Sequence, residues 1–123
     1  MRKEEYPLLI ERLLALASTA DVQVSLYPAE VCVGDELVLD FDEEYQKAKN
    51  AILDEEVKLS IDVLDRYIER HSGEAFSEMY LKSSALHTDP RWQEIRDLAA
   101  IVLLNMDIDY RSPDATGASY IVK

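Results

Sequence analysis

Carboxylates dominate the chemistry open to this chain. Two runs place side-chain oxygens at alternate positions, Asp40-Phe41-Asp42-Glu43-Glu44 and Asn105-Met106-Asp107-Ile108-Asp109. A calcium loop of the EF-hand kind begins this way, but it also needs Gly at its sixth position and a bidentate Glu at its twelfth. The first run has Tyr45 and Ala51 there, and the second has Tyr110 and Thr116. Magnesium-dependent nucleotide hydrolysis on helices would need carboxylates one helical turn apart plus a third ligand. Glu43-Glu44 is followed by Lys47 and Glu55-Glu56 by Leu59, so the third ligand is missing each time, and Asp62 and Asp65 have Lys58 and Arg66 close by. Neither run predicts a metal site, and no cofactor is expected.

The remaining reactive side chains are few. There are two histidines, His71 and His87, and one cysteine, Cys32. A di-iron bundle needs inward Glu-x-x-His pairs, whereas Glu69 stands two residues before His71. A zinc site lacks both the cysteines and the histidine spacing. With no Gly-x-Ser-x-Gly and only three scattered glycines, neither a nucleophile elbow nor a phosphate-cradling loop is present. His71 reads as a helix-end partner for the dipole, and Cys32, between two valines, as a small buried hydrophobe. No enzyme is expected from these residues.

The elements that would position the acids are mostly helices. From Asp89 the chain shows a start signal, a capping Asp followed by Pro90 at the first helical position. Trp92, Ile95, Ala99, Val102 and Met106 then recur at helical steps. Because every residue from Leu98 to Leu104 is apolar, this central helix is predicted to be buried on nearly all sides, with Trp92 in the core. Residues 4–18 predict a first helix with an apolar stripe of Tyr6, Leu9, Ile10, Leu13, Leu14 and Ala17. Glu4 and Glu5 stand at its positive end.

Val22, Val24 and Leu26 alternate, which predicts a short strand. After Tyr27-Pro28 two readings compete. A hairpin would pair 30–33 with 36–41 across Gly34-Asp35. A helix capped by Asp35 would run to about Leu53, because Val38, Phe41, Tyr45, Ala48 and Ile52 fall on one face. The helix is favoured; a helix from Asp42 after a strand is the fallback. Asp54 caps a helix over 55–71, with Val57, Ile61, Leu64, Ile68 and His71 inside and Glu55, Asp62, Asp65 and Glu69 outside. Residues 74–88 predict short helical pieces broken at Ser83-Ser84, 107–117 a loop, and 118–123 a short strand or a mobile tail. The fold class expected is mainly α: one domain over 1–123, a bundle of about four helices, with a short strand or hairpin within 22–41 as the alternative.

Charge narrows the partners. The chain has 25 acidic and 13 basic residues, a net charge of −12. That disfavours nucleic acid, whose phosphates must be neutralised by Lys and Arg, and anionic membrane surfaces. It suits a cationic partner drawn in over long range. A lone cysteine fits a reducing compartment, the amino terminus reads as amphipathic rather than as a secretory leader, and the longest apolar run is seven residues. A cytoplasmic location is expected.

Three segments, 36–45 (Glu-Leu-Val-Leu-Asp-Phe-Asp-Glu-Glu-Tyr), 64–74 (Leu-Asp-Arg-Tyr-Ile-Glu-Arg-His-Ser-Gly-Glu) and 89–99 (Asp-Pro-Arg-Trp-Gln-Glu-Ile-Arg-Asp-Leu-Ala), in this order resemble small acidic, mainly helical bacterial proteins of unassigned function. Some of those are of the immunity-protein kind. The resemblance implies a helical fold and a protein partner, and assigns no functional residue.

The expected function is therefore protein binding: an acidic face that occludes a basic partner such as a toxin. Its candidate residues are Asp40, Asp42, Glu43, Asp62, Asp65 and Glu69, with Tyr45 as an aromatic anchor. The chain is expected to be a monomer or a homodimer. The alternatives are a self-associating module, a homodimer using apolar surface on the first helix or near Phe76, and a metal-dependent nucleotide hydrolase.

Overall fold

A computed structural model describes residues 6–113. The elements are α1 (Pro7–Ala17), α2 (Ala20–Ser25), α3 (Val33–Ala48), α4 (Glu55–Arg70), α5 (Ser77–Leu81), α6 (Ala85–Thr88) and α7 (Pro90–Asn105), with a 3-10 turn at Glu74–Phe76. No strand occurs among the described residues, so the chain is of the α class. The expectations placed on Glu4, Glu5, the 114–117 part of the loop and 118–123 lie outside those residues.

Local chemistry sets the long helices. Asp54 Oδ1 accepts from the Val57 N–H at 3.1 Å and opens α4. Asp89 Oδ1 accepts from the Arg91 N–H at 2.9 Å and opens α7, with Pro90 as its first residue. Each cap satisfies a donor that has no partner within its own helix. At the far end of α7, Asp107 takes a positive φ of 62°. There the Ile108 N–H reaches the Leu103 carbonyl at 3.0 Å and the Asp107 N–H reaches that of Leu104 at 3.0 Å. This is a Schellman closure with Asp where Gly is usual.

Two expectations for 22–53 need correction. The strand at 22–26 is instead α2. Thr19 accepts from the Val22 N–H at 3.4 Å, and Gln23, fully buried, donates to the Ala15 and Leu16 carbonyls at 3.1 and 3.0 Å. Helical backbone is what carries Gln23 back to those last carbonyls of α1. The favoured helix is present as α3 and the competing hairpin is not, but α3 begins at Val33 with Cys32 rather than Asp35 in the capping position and stops at Ala48 rather than near Leu53. Cys32 is half-buried.

The helices pack as α1 on α3, α1 on α7 and α4 on α7, with α5 against the start of α3. The buried side chains form one cluster drawn from these elements. Trp92 is completely buried. Its Nε1 donates to the Met79 carbonyl at 2.9 Å, Tyr80 meets its ring edge-on at 5.8 Å, and Gly34 lets α3 pass against it. The central helix is not buried all round. Ile95, Ala99, Val102 and Leu103 face inward, but Leu104 is 75% exposed and Ile101 47%, because α1 and α4 cover only two sides of α7.

Arg96 ties three parts of the chain together. Its guanidinium donates to the Ser18 carbonyl at 3.1 Å, to Gln23 Oε1 at 3.1 Å and to the Leu86 carbonyl. Together with Gln23 it gives the turn between α1 and α2 the hydrogen bonds that buried backbone requires.

Candidate functional site

Although α3 and α4 follow one another in sequence, they pack chiefly on other helices: α3 on α1 and α5, α4 on α7. Between them lies a cleft of about 230 Å³. Its apolar lining is Val38, Leu39, Phe41 and Ile68, and its polar lining is Asp42, Gln46, Asp65, Glu69 and Ser72. Asp42 and Gln46 are one turn apart on α3, as are Asp65 and Glu69 on α4, and residues at such spacing share a helix face. The two amphipathic helices thus bring their acidic borders to one seam.

The electrostatics of the seam are unbalanced. Asp65 has a pKa raised by burial, then by Asp42 and Glu69, with Lys49 opposing and Asp62 adding to the rise. Tyr45 is raised by burial and then by Asp65 and Asp62, with Arg66 opposing. Lys49 places its ammonium 5.8 Å from the centre of the Tyr45 ring. Asp42 accepts from Gln46 at 3.2 Å. Among the described residues no Lys or Arg forms an ion pair with Asp42, Asp65 or Glu69.

The seven candidate residues separate on the structure. Asp42, Asp65 and Glu69 line the cleft. Asp62 and Tyr45 line a neighbouring depression of about 400 Å³, together with Lys49, Lys58 and the exposed Leu53 and Leu59. Asp62 is paired with Arg66 at 2.8 Å. Glu43 is exposed and shares Lys47 with Glu44, each at 3.6 Å. Asp40 accepts from the Tyr27 hydroxyl at 2.7 Å and so helps hold the segment before α3. Tyr45 is only 7% exposed and stacks flat on Phe41 at 5.6 Å, so its ring fills the seam rather than projecting as an anchor. The expected outer face of α4 is also revised: Asp62 and Asp65 are half-buried toward α3, while Leu59 and Val63 are exposed.

Other reactive groups are engaged structurally. His71 Nδ1 lies 2.8 Å from the Tyr67 carbonyl at the end of α4, and its ring packs at a tilt against Tyr67 at 4.2 Å and meets Phe76 edge-on at 5.4 Å. Arg91 is bonded to Asp89 at 3.0 and 2.6 Å and lies over Phe76. The run Asp40–Glu44 lies inside α3, and 105–109 is the closed end of α7; helical backbone cannot curl round an ion as a calcium loop must. Among the described residues no three His, Cys, Asp or Glu side chains are grouped to hold a metal ion. No helix among them is long and apolar enough to cross a membrane. The residues that sequence reading missed are Gln46, whose amide sits on Asp42, Leu39 and Ser72, and the apolar floor of Val38, Phe41 and Ile68, which read only as core.

Comparison with protein-family models, with curated proteins and with solved structures gives no match for this chain.

Proposed function

We propose that this chain is a cytoplasmic protein-binding protein whose α3–α4 seam receives a basic partner, in the manner of an immunity protein occluding a toxin. The four long helices α1, α3, α4 and α7 are read as a bundle, and the α3–α4 seam is its binding side. One observation carries the reading: Asp42, Asp65 and Glu69 converge from two helices on one cleft with no Lys or Arg paired to them. Asp65 is held half-buried among like charges that Lys49 offsets only in part, and a group held against stability is characteristic of functional surfaces. Long-range attraction would make association fast and salt-sensitive, and covering the partner's cationic surface would block its access to anionic substrates.

The test is binding to an immobilised arginine-rich protein, protamine, at low and at physiological salt. The triple variant Asp42→Asn, Asp65→Asn, Glu69→Gln is compared with a control that removes three charges elsewhere, Asp97→Asn, Asp107→Asn, Asp109→Asn. At least tenfold weaker binding by the seam variant, with the control near wild type, is expected. Equal weakening of the two would reduce the effect to net charge and refute a dedicated seam.

A further inference from the structure

We infer that the α3–α4 cleft is a receptor for one arginine side chain of a basic protein, an inference that rests on the binding function proposed above and goes further in naming the group that enters. Carboxylates alone would give only a diffuse field. Here they rim a cleft of about 230 Å³, on the scale of one long side chain, whose accessible apolar wall is the exposed Leu39 and half-buried Val38 above the buried Phe41 and Ile68.

The cleft is two-sided in chemistry, and so is arginine. An apolar stem can lie along aliphatic and aromatic surface while the charged head stays at a polar border. The head would meet carboxylates from both helices, Asp42 on α3 and Asp65 and Glu69 on α4. A guanidinium presents five N–H donors in a plane and can bond two carboxylates at once. A lysine ammonium is a compact, strongly hydrated charge that loses more on leaving water and cannot bridge in this way. Asp65, whose own neighbours Asp42, Glu69 and Asp62 oppose its charge, gains most from a cation placed there. Lys49 offsets that repulsion only in part, from outside the cleft lining and beside the Tyr45 ring. An arginine seated in a pocket at the middle of an interface is the residue type expected to dominate binding energy.

The experiment is an amide NMR titration of the full chain with two capped tripeptides, glycine-arginine-glycine and glycine-lysine-glycine, at matched ionic strength. Expected are shifts concentrated in 38–46 and 65–72, and several-fold tighter binding of the arginine peptide. Leu39→Ala, at an exposed wall of the cleft, should reduce the arginine preference, and Asp65→Asn should abolish it. Equal affinity for both peptides, or shifts scattered over the acidic surface, would overturn the receptor. Shifts in the same residues on raising the protein concentration without peptide would place a second copy there and overturn it as well. Failure here, with the seam triple variant still tenfold weaker toward protamine, would leave the binding function standing. Failure of both would remove the function with it.

Discussion

Gly34→Ala sets two known effects against each other at one atom. In helical backbone, Ala is favoured over Gly by about 1 kcal/mol in an interior position, and by less in the first turn, where Gly34 lies. A residue scale alone would therefore expect stabilisation. The structure expects the reverse. A Cβ on Gly34 would stand 2.8 Å from Trp92 Cζ2, 3.2 Å from the Tyr80 carbonyl oxygen and 3.3 Å from that of Met79. Carbon atoms prefer roughly 3.5–4.0 Å, so the ring or the helix must move by most of an ångström. Trp92 has little room to yield, since its Nε1 is bonded to Met79 at 2.9 Å and Tyr80 abuts its ring. Overpacking of this kind costs about 1–3 kcal/mol. Net destabilisation of roughly 1–2 kcal/mol should lower the melting temperature by about 3–8 °C for a chain of this length. Far-UV circular dichroism gives the melt, and emission from the sole tryptophan reports its burial. In a Trp92→Phe background Cζ2 is gone, so adding Gly34→Ala should cost much less; the difference is the coupling between the two sites. A Gly34→Ala protein more stable than wild type, with unshifted emission, would refute the packing described for the start of α3.

Asp107→Gly should stabilise by about 0.5–1 kcal/mol, because relief of a left-handed L-residue, ~1–2 kcal/mol, exceeds the entropy that Gly adds to the unfolded chain, ~0.4–1 kcal/mol; chemical denaturation checks it, and a loss of stability would contradict the α7 closure. Asp65 has a folded pKa above its unfolded value, so its ionised form opposes folding at neutral pH. Asp65→Asn should therefore melt higher than wild type at pH 7, with the gap closing as pH falls through the raised pKa toward the unfolded value. Asp89 has the opposite sign. Its pKa is lowered chiefly by the Arg91 side-chain hydrogen bond, so the stability it contributes is present above the ordinary carboxylate pKa and is lost as pH falls through the folded one; Asp89→Asn should cost stability at pH 7, and the cost should shrink in an acid titration of the melting temperature.

What was legible in the sequence was local. Asp54 and Asp89 could be read as caps because a cap is a contact between a side chain and a backbone two or three residues away. The α3 stripe outweighed its strand-forming valines because Val38, Phe41, Tyr45 and Ala48 keep step over several turns. The alternation of Val22, Val24 and Leu26 misled because three apolar residues are too few to distinguish a period of two from a helix turn. The contacts that stabilise α2 come from Gln23 and from Arg96, 73 residues away. The apolar run 98–104 overstated burial because composition does not say how many neighbours a helix has. For the acidic seam the residue types were visible, and Asp42, Asp65 and Glu69 were among those named. Their convergence depends on how α3 and α4 sit against other helices, and nothing within either helix encodes that.

In the function proposed above, the α3–α4 seam is kept acidic for binding at a cost in stability. Thermal unfolding of wild type and of the Asp42→Asn, Asp65→Asn, Glu69→Gln variant, each with and without protamine at low salt, tests both halves together. The variant is expected to melt higher than wild type when alone, and protamine is expected to raise the wild-type melting temperature while leaving the variant nearly unchanged. A variant that melts lower when alone, or that is stabilised by protamine as much as wild type, would contradict the account.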